Sequence, residues 1–478
     1  MNSKPFLTNF RWPRCSAMAM ILLSACTAGP DYHRPNAEVP ANFKELGDWK
    51  VAQPSDHLKR SQWWEVYHDE QLATLESAVS IANQNVRAAE AQLRQARAVI
   101  QGARAQYFPT VTSGTSATRS HSANTTTSKF ALNVNASWEP DFWGRIRRTV
   151  EADTASAQAS AADLETVRLL AQTELAQNYF LLRGIDAQRK LFDDTIAGYQ
   201  RSLQLTKNQY AVGVVAKVDV VQAEAQLKTA QAQAIDLRVQ RAQLEHAIAV
   251  LVGKPASDFS IAPSPLVLST IPPPLPVGVP SQLLERRPDV AGAERRIAAA
   301  NAQIGVANAA FFPAFVLAAG GGFESSSLAK WLSLPSRIWS LGPALAQTLF
   351  DAGARRAQSA QAIAAYDGSV AAYRQTVLNG FQEVEDNLAA LRILQEEAMV
   401  QDDAVKASQQ AVTLATNQYK AGTVSYINVI TAQSTALNNK RNAVDILSRR
   451  LTASVLLIKA LGGGWNVAES TSTTGRGN

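Results

Sequence analysis

NQYAVG at residues 208–213 recurs as NQYKAG at residues 417–422, 209 positions further along the chain. The same spacing relates further identical pairs, which are Glu174 and Glu383, Asn178 and Asn387, Arg183 and Arg392, Val215 and Val424, and Val220 and Val429. Closer to the start of each copy, Phe108-Pro109 matches Phe312-Pro313 at a spacing of 204. A repeat of this size implies two copies of one structural unit, so function should lie in what two copies build together.

Most of each copy has the composition of long helices. Residues 70–106 and 144–211 are rich in Ala, Gln, Leu, Glu and Arg, and a helix over the second range would be on the order of 100 Å long. The matching helices of the second half are 284–310, 354–420 and 424–461. Gly213 and Gly422 interrupt the long helices at equivalent places, which predicts tight turns into helices that run back from about residues 216 and 425.

Between the helices the apolar pattern changes to a period of two. The alternating apolar positions are Phe130, Leu132, Val134, Ala136 and Trp138 in the first half, and Phe315, Leu317, Ala319 and Phe323, then Trp339, Leu341 and Leu345, in the second. A weaker strand is expected over 108–117, and the Ser/Thr-rich stretch 113–127 reads as a polar loop. Alternating segments of about ten residues with aromatics near their ends are typical of transmembrane β-barrels. The alternative is a small water-soluble sheet packed on helices.

Four strands cannot close a barrel in a membrane, because open sheet edges are not tolerated in lipid and small barrels need eight or more strands. Several chains would therefore have to pool their strands. Three chains would give twelve strands and two chains would give eight, and the pattern itself does not choose between them.

The N-terminus predicts an exported protein. Basic residues, a short apolar run and Leu23-Ser24-Ala25-Cys26 describe a signal peptide of the lipoprotein type, with the lipid on Cys26. The other cysteine, Cys15, leaves with the signal, so no intrachain disulfide is expected in a mature chain whose net charge falls from +6 to +3. No other apolar run is long enough for a transmembrane helix. The scattered histidines show no metal-ligand spacing, and no catalytic set stands out, so neither a metal, a cofactor nor an enzyme activity is predicted.

These features divide the chain into six segments. They are a signal peptide (1–25), an N-terminal segment (26–69), a first repeat (70–261) with a β-hairpin at 108–142, a proline-rich linker (262–280), a second repeat (281–461) with a β-hairpin at 312–350, and a flexible C-terminal tail (462–478).

Several motifs resemble a known family. They are GPDYHRP at 29–35, LERRPDV at 284–290, AERR at 293–296, and the helix-tip sequence 419–432. Together they resemble the TolC-like outer membrane factors, in their lipoprotein (NodT-like) branch, over essentially the whole mature chain. The resemblance implies a mainly α protein whose long helical hairpins form a periplasmic α-barrel and whose four strands join a trimeric twelve-stranded β-barrel. It also implies that the N-terminal segment (26–69) and the proline-rich linker (262–280) are equatorial segments, which lie in a band around the α-barrel with the C-terminal region. It implies the passive outlet of a tripartite efflux system in the outer membrane of a Gram-negative bacterium, partnered by a periplasmic adaptor and an inner-membrane transporter of the RND type.

The family places its periplasmic gate and its adaptor-docking surface at the tips of the helical hairpins. By this resemblance the gate candidates are Asp219, Ile427, Asn428 and Thr431. Relatives often have acidic residues at the positions of Asn428 and Thr431, and these residues form a ring at the gate. The ring is therefore depleted in this chain, and a gate that binds cations is in doubt. Local capping by Asp219 is the simpler alternative. The docking candidates are Gly213, Val214, Val215, Gly422, Thr423 and Val424, whose apolar members could instead pack on neighbouring tips.

Tryptophans near the strand ends suit an interfacial girdle, although core packing would also explain any one of them. They are Trp138, Trp143, Trp331 and Trp339. The rival function is a trimeric structural or adhesive outer-membrane lipoprotein that transports nothing. The polar inner strand faces and the duplicated tip favour the duct, while the exported substrate does not follow from the sequence.

Overall fold

The computed structural model describes residues 28–40, 42–46, 62–122, 124–267, 272–273 and 286–463. Cys26 and the predicted signal peptide, most of the proline-rich linker, and the tail beyond residue 463 lie outside the described residues. In chain order the helices are α1 (Glu70–Ala82), α2 (Gln84–Ala105), α3 (Arg145–Ala211), α4 (Lys217–Leu251), α5 (Pro288–Ala309), α6 (Ala354–Lys420) and α7 (Tyr426–Ala460). The strands are β1 (Thr110–Ser122), β2 (Thr125–Trp138), β3 (Ala314–Ser325) and β4 (Arg337–Ala346).

Three pairs of helices match the internal repeat residue for residue. Each of α3 and α6 has 67 residues, each of α4 and α7 has 35, and in both pairs the second helix begins 209 positions after the first. The 22-residue helices α2 and α5 begin 204 positions apart. The difference of five residues therefore arises between the start of the strands and the start of the long helix, as the two spacings in the sequence indicated.

The chain divides into two compact units, and each unit takes segments from both repeats. One contains residues 93–160 and 292–373 with the N-terminal segment up to residue 36, and it holds all four strands. The other contains residues 37–92, 161–291 and 374 onward, and it holds both helix-to-helix turns. The repeats thus contribute to shared structures rather than forming one domain each.

The four strands form one antiparallel sheet in the order β1-β2-β3-β4. Between the hairpins, β2 pairs with β3 so that Phe130 lies opposite Ser325 and Trp138 opposite Leu317. The alternating apolar side chains of β2, β3 and β4 consequently share one face of the sheet. None of the described helices combines the length and the hydropathy that crossing a bilayer would require.

Two sequence predictions need correction. The expected loop at 113–127 is mostly strand, because β1 reaches Ser122 and β2 begins at Thr125. Ser and Thr occupy both faces of β1, so no period-two contrast marks it, although Thr suits extended structure and every β1 residue pairs with β2. The helix expected over 70–106 is interrupted at Asn83, whose Oδ1 accepts hydrogen bonds from the backbone N–H groups of Asn85 (2.9 Å) and Val86 (3.1 Å) and thereby caps α2.

The second-half helix expected over 284–310 is interrupted at Arg287. Residues 284 and 285 lie outside the described residues, Arg286 is helical, and α5 begins at Pro288, which suits the first position of a helix because proline lacks an N–H. The preceding Arg287 is buried and binds three elements of its unit. Its guanidinium donates to Asp289 (2.6 Å), to Glu383 on α6 (2.8 Å) and to the carbonyl of Ala460 at the end of α7 (3.2 Å). Burial opposes ionisation of Arg287, but the two carboxylates outweigh it and raise its pKa. Within the LERRPDV motif, Arg287 is therefore a structural anchor.

Candidate functional site

The two helix-to-helix turns have the same backbone geometry. Gly213 and Gly422 have φ values of +78° and +72°, a left-handed conformation that glycine adopts without strain. In the first turn the N–H of Gly213 donates to Tyr210 O (3.0 Å) and that of Val214 to Gln209 O (2.9 Å). The second turn repeats both hydrogen bonds 209 positions later, from Gly422 and Thr423. These bonds satisfy the last carbonyls of α3 and α6 and reverse the chain within a few residues.

The two tips differ in what packs below the turn. Tyr419 on α6 is buried and lies against Tyr426, the first residue of α7, with ring centroids 5.1 Å apart. Tyr210, the repeat counterpart of Tyr419, is 46% exposed, and the counterpart of Tyr426 is Lys217. Sequence reasoning missed this aromatic pair, because the repeated NQY motif made the two tyrosines look equivalent.

The aromatic pair belongs to a core that joins both halves of the chain. Its buried members are Phe192, Tyr199, Leu203, Ala223, Leu227, Ala230, Leu237, Tyr419, Tyr426, Val429 and Leu437. Burial raises the pKa of Tyr426 to about 12, with the Asp219 carboxylate as a minor contributor, so Tyr426 stays neutral at physiological pH. Helices α4 and α7 are also linked by a hydrogen bond from Gln226 Nε2 to Gln433 Oε1 (3.3 Å).

All four gate candidates lie within the first two turns of the returning helices. Asp219 is in the first turn of α4, Ile427 and Asn428 are in the first turn of α7, and Thr431 is one turn further on. Within the described part of the chain the Asp219 carboxylate accepts no hydrogen bond and forms no ion pair, so the local capping alternative finds no support in the contacts. Ile427 is 47% exposed, while the Thr431 hydroxyl donates to Ile427 O (2.9 Å) within its own helix.

The docking candidates divide into exposed and packed side chains. Val214 is 66% exposed, and its neighbour Val212, which sequence reasoning did not select, is 75% exposed. Val215 and Val424 instead pack against the core beneath the turns, and Thr423 is exposed. The tip of the first half therefore presents the more apolar surface.

The tryptophans lie near both ends of the strands. Trp138 ends β2 and donates to Tyr107 O (2.9 Å), while Trp143 donates to Pro313 O (2.7 Å) and stacks on Phe312. Trp331 lies in the connection between β3 and β4, and Trp339, near the start of β4, is 77% exposed. Their girdle role stays a prediction.

A buried arginine holds the N-terminal segment beside the strands. Arg148 on α3 donates to Asp31 Oδ1 (2.9 Å) and to the carbonyls of Ala28 (3.2 Å) and Gly29 (3.3 Å). The N–H of Ala28 donates to Trp143 O (3.2 Å). Two residues after the predicted lipidation site, the chain is thus bound to Trp143, which lies in the connection between β2 and α3. Sequence reasoning missed this contact, because nothing marks Arg148 out among the basic residues that begin α3.

No group of three or more His, Cys, Asp or Glu side chains within the described segments is placed to hold a metal ion. The sequence model of the protein family described as "Outer membrane efflux protein" matches residues 77–254 and 279–463 of this chain. The chain belongs to the outer membrane efflux protein family.

Individual relatives agree with this assignment over nearly their whole length. The chain is 30% identical to the cation efflux system protein CusC of Escherichia coli O6:H1, covering 95% of this chain and 98% of that protein. It is also 30% identical to the probable efflux pump outer membrane protein TtgC of Pseudomonas putida, covering 94% and 95%. Among solved structures, the outer-membrane channel OprN matches with a TM-score of 0.85 and 30% identity, covering 92% of this chain and all of that one.

These matches confirm the predicted family, fold class and location. The chain is an outer-membrane channel component of an efflux system, mainly helical with a four-stranded sheet. The relatives are channel and efflux proteins. The gate, docking and lipidation residues are not distinguished by these matches and stay predictions.

Proposed function

We propose that three copies of this chain form a passive exit duct for small molecules, in which the twelve pooled strands close a β-barrel and the helical hairpins line a periplasmic tunnel. The observation that carries this proposal is the open sheet. Within the described residues β1 and β4 each have one unpaired edge, and the sheet has an apolar face. Unpaired backbone groups are too costly in hydrocarbon, so a sheet of this kind enters a membrane only when neighbouring chains pair with its edges.

Strand length supports the same proposal. The strands contain 13, 14, 12 and 10 residues, and a tilted transmembrane strand needs about 9–11. Three chains give twelve strands, an even number within the range of known barrels, and each strand would alternate between lipid and lumen. The lipid on Cys26 would add a second attachment near the barrel, because Ala28 is bound to Arg148 and to Trp143, which lies in the connection between β2 and α3.

The turns at Gly213 and Gly422 would form the periplasmic end of the duct. There Asp219, Ile427, Asn428 and Thr431 would face the axis and form the constriction. Val212 and Val214, with the backbone of both turns and with Val215, Thr423 and Val424, would meet a periplasmic adaptor coupled to an inner-membrane transporter of the RND type. Exposed apolar residues at a turn support a partner surface.

The cargo of the duct is proposed only as small molecules. The names of the relatives indicate cations for CusC and an unspecified pump cargo for TtgC, although the two match this chain equally well. Selection among substrates would therefore lie in the partner transporter, and the duct would supply a wide polar path.

Conductance across planar lipid bilayers tests the proposal. Purified full-length protein should produce discrete, long-lived conductance steps. A protein that inserts into the bilayer and gives no steps would be a structural or adhesive lipoprotein, and the duct would be excluded.

A further inference from the structure

The polar face of the sheet carries a cross-strand ion pair. Lys129 on β2 is next to Phe130, and successive side chains of a strand point to opposite faces, so Lys129 lies on the face away from the alternating apolar side chains. Glu324 on β3 lies on the same polar face, because it follows Phe323. Lys129 Nζ is 2.9 Å from Glu324 Oε1. Ala131 is the direct partner of Glu324, so the ion pair joins diagonal neighbours on the two strands.

The remaining Lys, Arg, Asp and Glu residues of β1 to β4 lie on the apolar face. They are Arg119 and Arg337. Arg119 is two residues from Ala117, the direct partner of Phe130. Arg337 is the direct partner of Phe323. Both arginines are near strand ends, since β1 ends three residues after Arg119 and β4 begins at Arg337, and from there a long side chain reaches the headgroup region of a membrane. This distribution supports the contact of the apolar face with lipid and leaves the ion pair in the lumen.

Between the ion pair and the helices, the polar face of β2 and β3 is lined by uncharged groups. Asn133 and Asn135 of β2 lie directly opposite Gly322 and Gly320 of β3. A Cβ atom at Gly320 would be 3.0 Å from Asn135 Oδ1, and one at Gly322 would be 3.0 Å from Asn133 Oδ1. The two amides therefore lie over the glycines, and this part of the wall presents neutral dipoles rather than charges.

We propose that Lys129 and Glu324 determine the charge selectivity of the strand part of the duct. Rings of like-charged side chains select ions of the opposite sign in channels. A trimer would place three copies of each residue in its lumen, where the paired charges cancel and solutes of either sign pass. Loss of either partner would leave a ring of three like charges. This inference rests on the proposed function, and it adds the class of solute, because neither sign of charge is excluded in the outer membrane.

The exposure of the pair argues for an effect on permeation rather than on folding. The side chains of Lys129 and Glu324 are 57% and 36% exposed. Ion pairs that are exposed to this extent contribute little to the stability of a protein. In a lumen with low-dielectric walls, unpaired charges of one sign would instead concentrate ions of the other sign. The expected consequence of breaking the pair is therefore a change in which ions pass.

Reversal potentials of the full-length protein in planar bilayers, measured under a potassium chloride gradient, test this inference. Lys129→Gln leaves the Glu324 carboxylate unpaired and should shift the permeability ratio towards cations. Glu324→Gln leaves the ammonium group unpaired and should shift the ratio towards anions. The double variant carries neither charge and should return to the wild-type ratio. Charges elsewhere along the duct are common to all these proteins, so each variant is compared with the wild type.

Arg119→Gln is the matched control for the face of the sheet. Arg119 pairs with Ser128, which is adjacent to Lys129, so the two cations lie at the same level of the hairpin but on opposite faces. The control should keep the wild-type ratio. Salt concentration provides a second readout, because the Debye length is about 10 Å at 0.1 M and about 3 Å at 1 M. The shifts in the single variants should therefore be largest in dilute salt and fade as the salt concentration rises.

Opposite shifts in the two single variants that cancel in the double variant would support the inference. Single variants that conduct with the wild-type ratio would overturn it and leave the duct standing. A shift in Arg119→Gln as large as that in Lys129→Gln would also overturn it, because selectivity would then not depend on the face of the sheet. If the wild-type protein itself gives no conductance, the proposed duct fails on its own measurement, and the inference is overturned with it.

Discussion

Gly213 and Gly422 hold the same left-handed backbone conformation 209 positions apart, yet the surfaces they expose differ. The turn at Gly213 is flanked by the exposed Val212 and Val214, whereas the turn at Gly422 is flanked by Ala421 and Thr423. The repeated backbone thus carries exposed turns that are more apolar in one half than in the other, and these turns are the proposed docking surface. A partner that binds six tips of a trimer would meet two alternating kinds of site.

The exposed valine after Gly213 provides a test of adaptor docking. Val214→Glu should weaken binding of the periplasmic adaptor of the proposed efflux system, because a charge would be buried at the contact. The loss should be at least about 10-fold, the size expected for a central interface residue. Val250→Glu is the matched control, since Val250 is 68% exposed at the other end of the same returning helix. Equal binding of the two variants in a pull-down would remove Val214 from the docking surface.

Ile427 provides a test of the gate. Ile427→Ala should raise the single-channel conductance of the isolated protein, because it removes a bulky side chain from the proposed constriction. Ile235→Ala is the control, as Ile235 is similarly exposed on α4 but lies away from the tip. Both changes are at exposed positions and should alter stability by no more than about 0.5 kcal/mol. Unchanged conductance in Ile427→Ala would exclude this residue from the constriction.

The buried Arg287 makes a prediction about stability. Arg287→Met should lower the free energy of unfolding by about 3 kcal/mol, because it leaves Asp289, Glu383 and the Ala460 carbonyl without their shared donor. Arg392→Met is the comparison, since Arg392 pairs with Glu45 at the surface and should lower the free energy of unfolding much less than Arg287→Met does. Thermal unfolding in detergent measures both. A similar small shift for the two variants would mean that Arg287 is not an anchor.

Glu76 on α1 makes a prediction about pH. Its side chain is fully buried, neither carboxylate oxygen has a hydrogen-bond partner within the described residues, and burial raises its pKa well above the ordinary value. The carboxyl is therefore held in its neutral form to a higher pH in the folded protein than in the unfolded chain. The contribution of Glu76 to the free energy of unfolding is fully present below the pKa of the unfolded state. It is lost as the pH rises towards the raised pKa of the folded state, because the carboxyl ionises more readily in the unfolded chain.

Glu76→Gln should remove this dependence. The melting temperature of the variant, relative to wild type, should increase from pH 4 to pH 8, whereas Glu70→Gln, an exposed change on the same helix, should show no such trend. A constant difference between Glu76→Gln and wild type across this range would contradict a neutral, buried carboxyl.

The repeat, the long helices and the turns could be predicted from the sequence. They depend on local propensity and on patterns that occur in both copies, so that each copy supports the prediction for the other. The sequence was not sufficient for β1, whose Ser and Thr residues give no contrast between faces and whose strand is fixed by pairing with β2. Nor did it show the break at Asn83, because one asparagine in a helical pattern looks tolerable until its side chain is seen to cap α2.

At the candidate site, the sequence located the tips but not the difference between them. Tyr210 and Tyr419 occupy the same place in the repeat, and only the packing of Tyr426 against Tyr419 distinguishes them. The contacts of Arg148 were equally hidden, because they join residues more than a hundred positions apart. Tertiary contacts of this kind leave no local pattern.

The number of chains in a conducting particle tests the account most directly. Native mass spectrometry of the protein released from lipid nanodiscs should find three copies, and the same preparation should give channels in planar bilayers. A preparation that conducts as a single chain, or one that remains monomeric with its four strands protected in water, would contradict a barrel built from pooled strands.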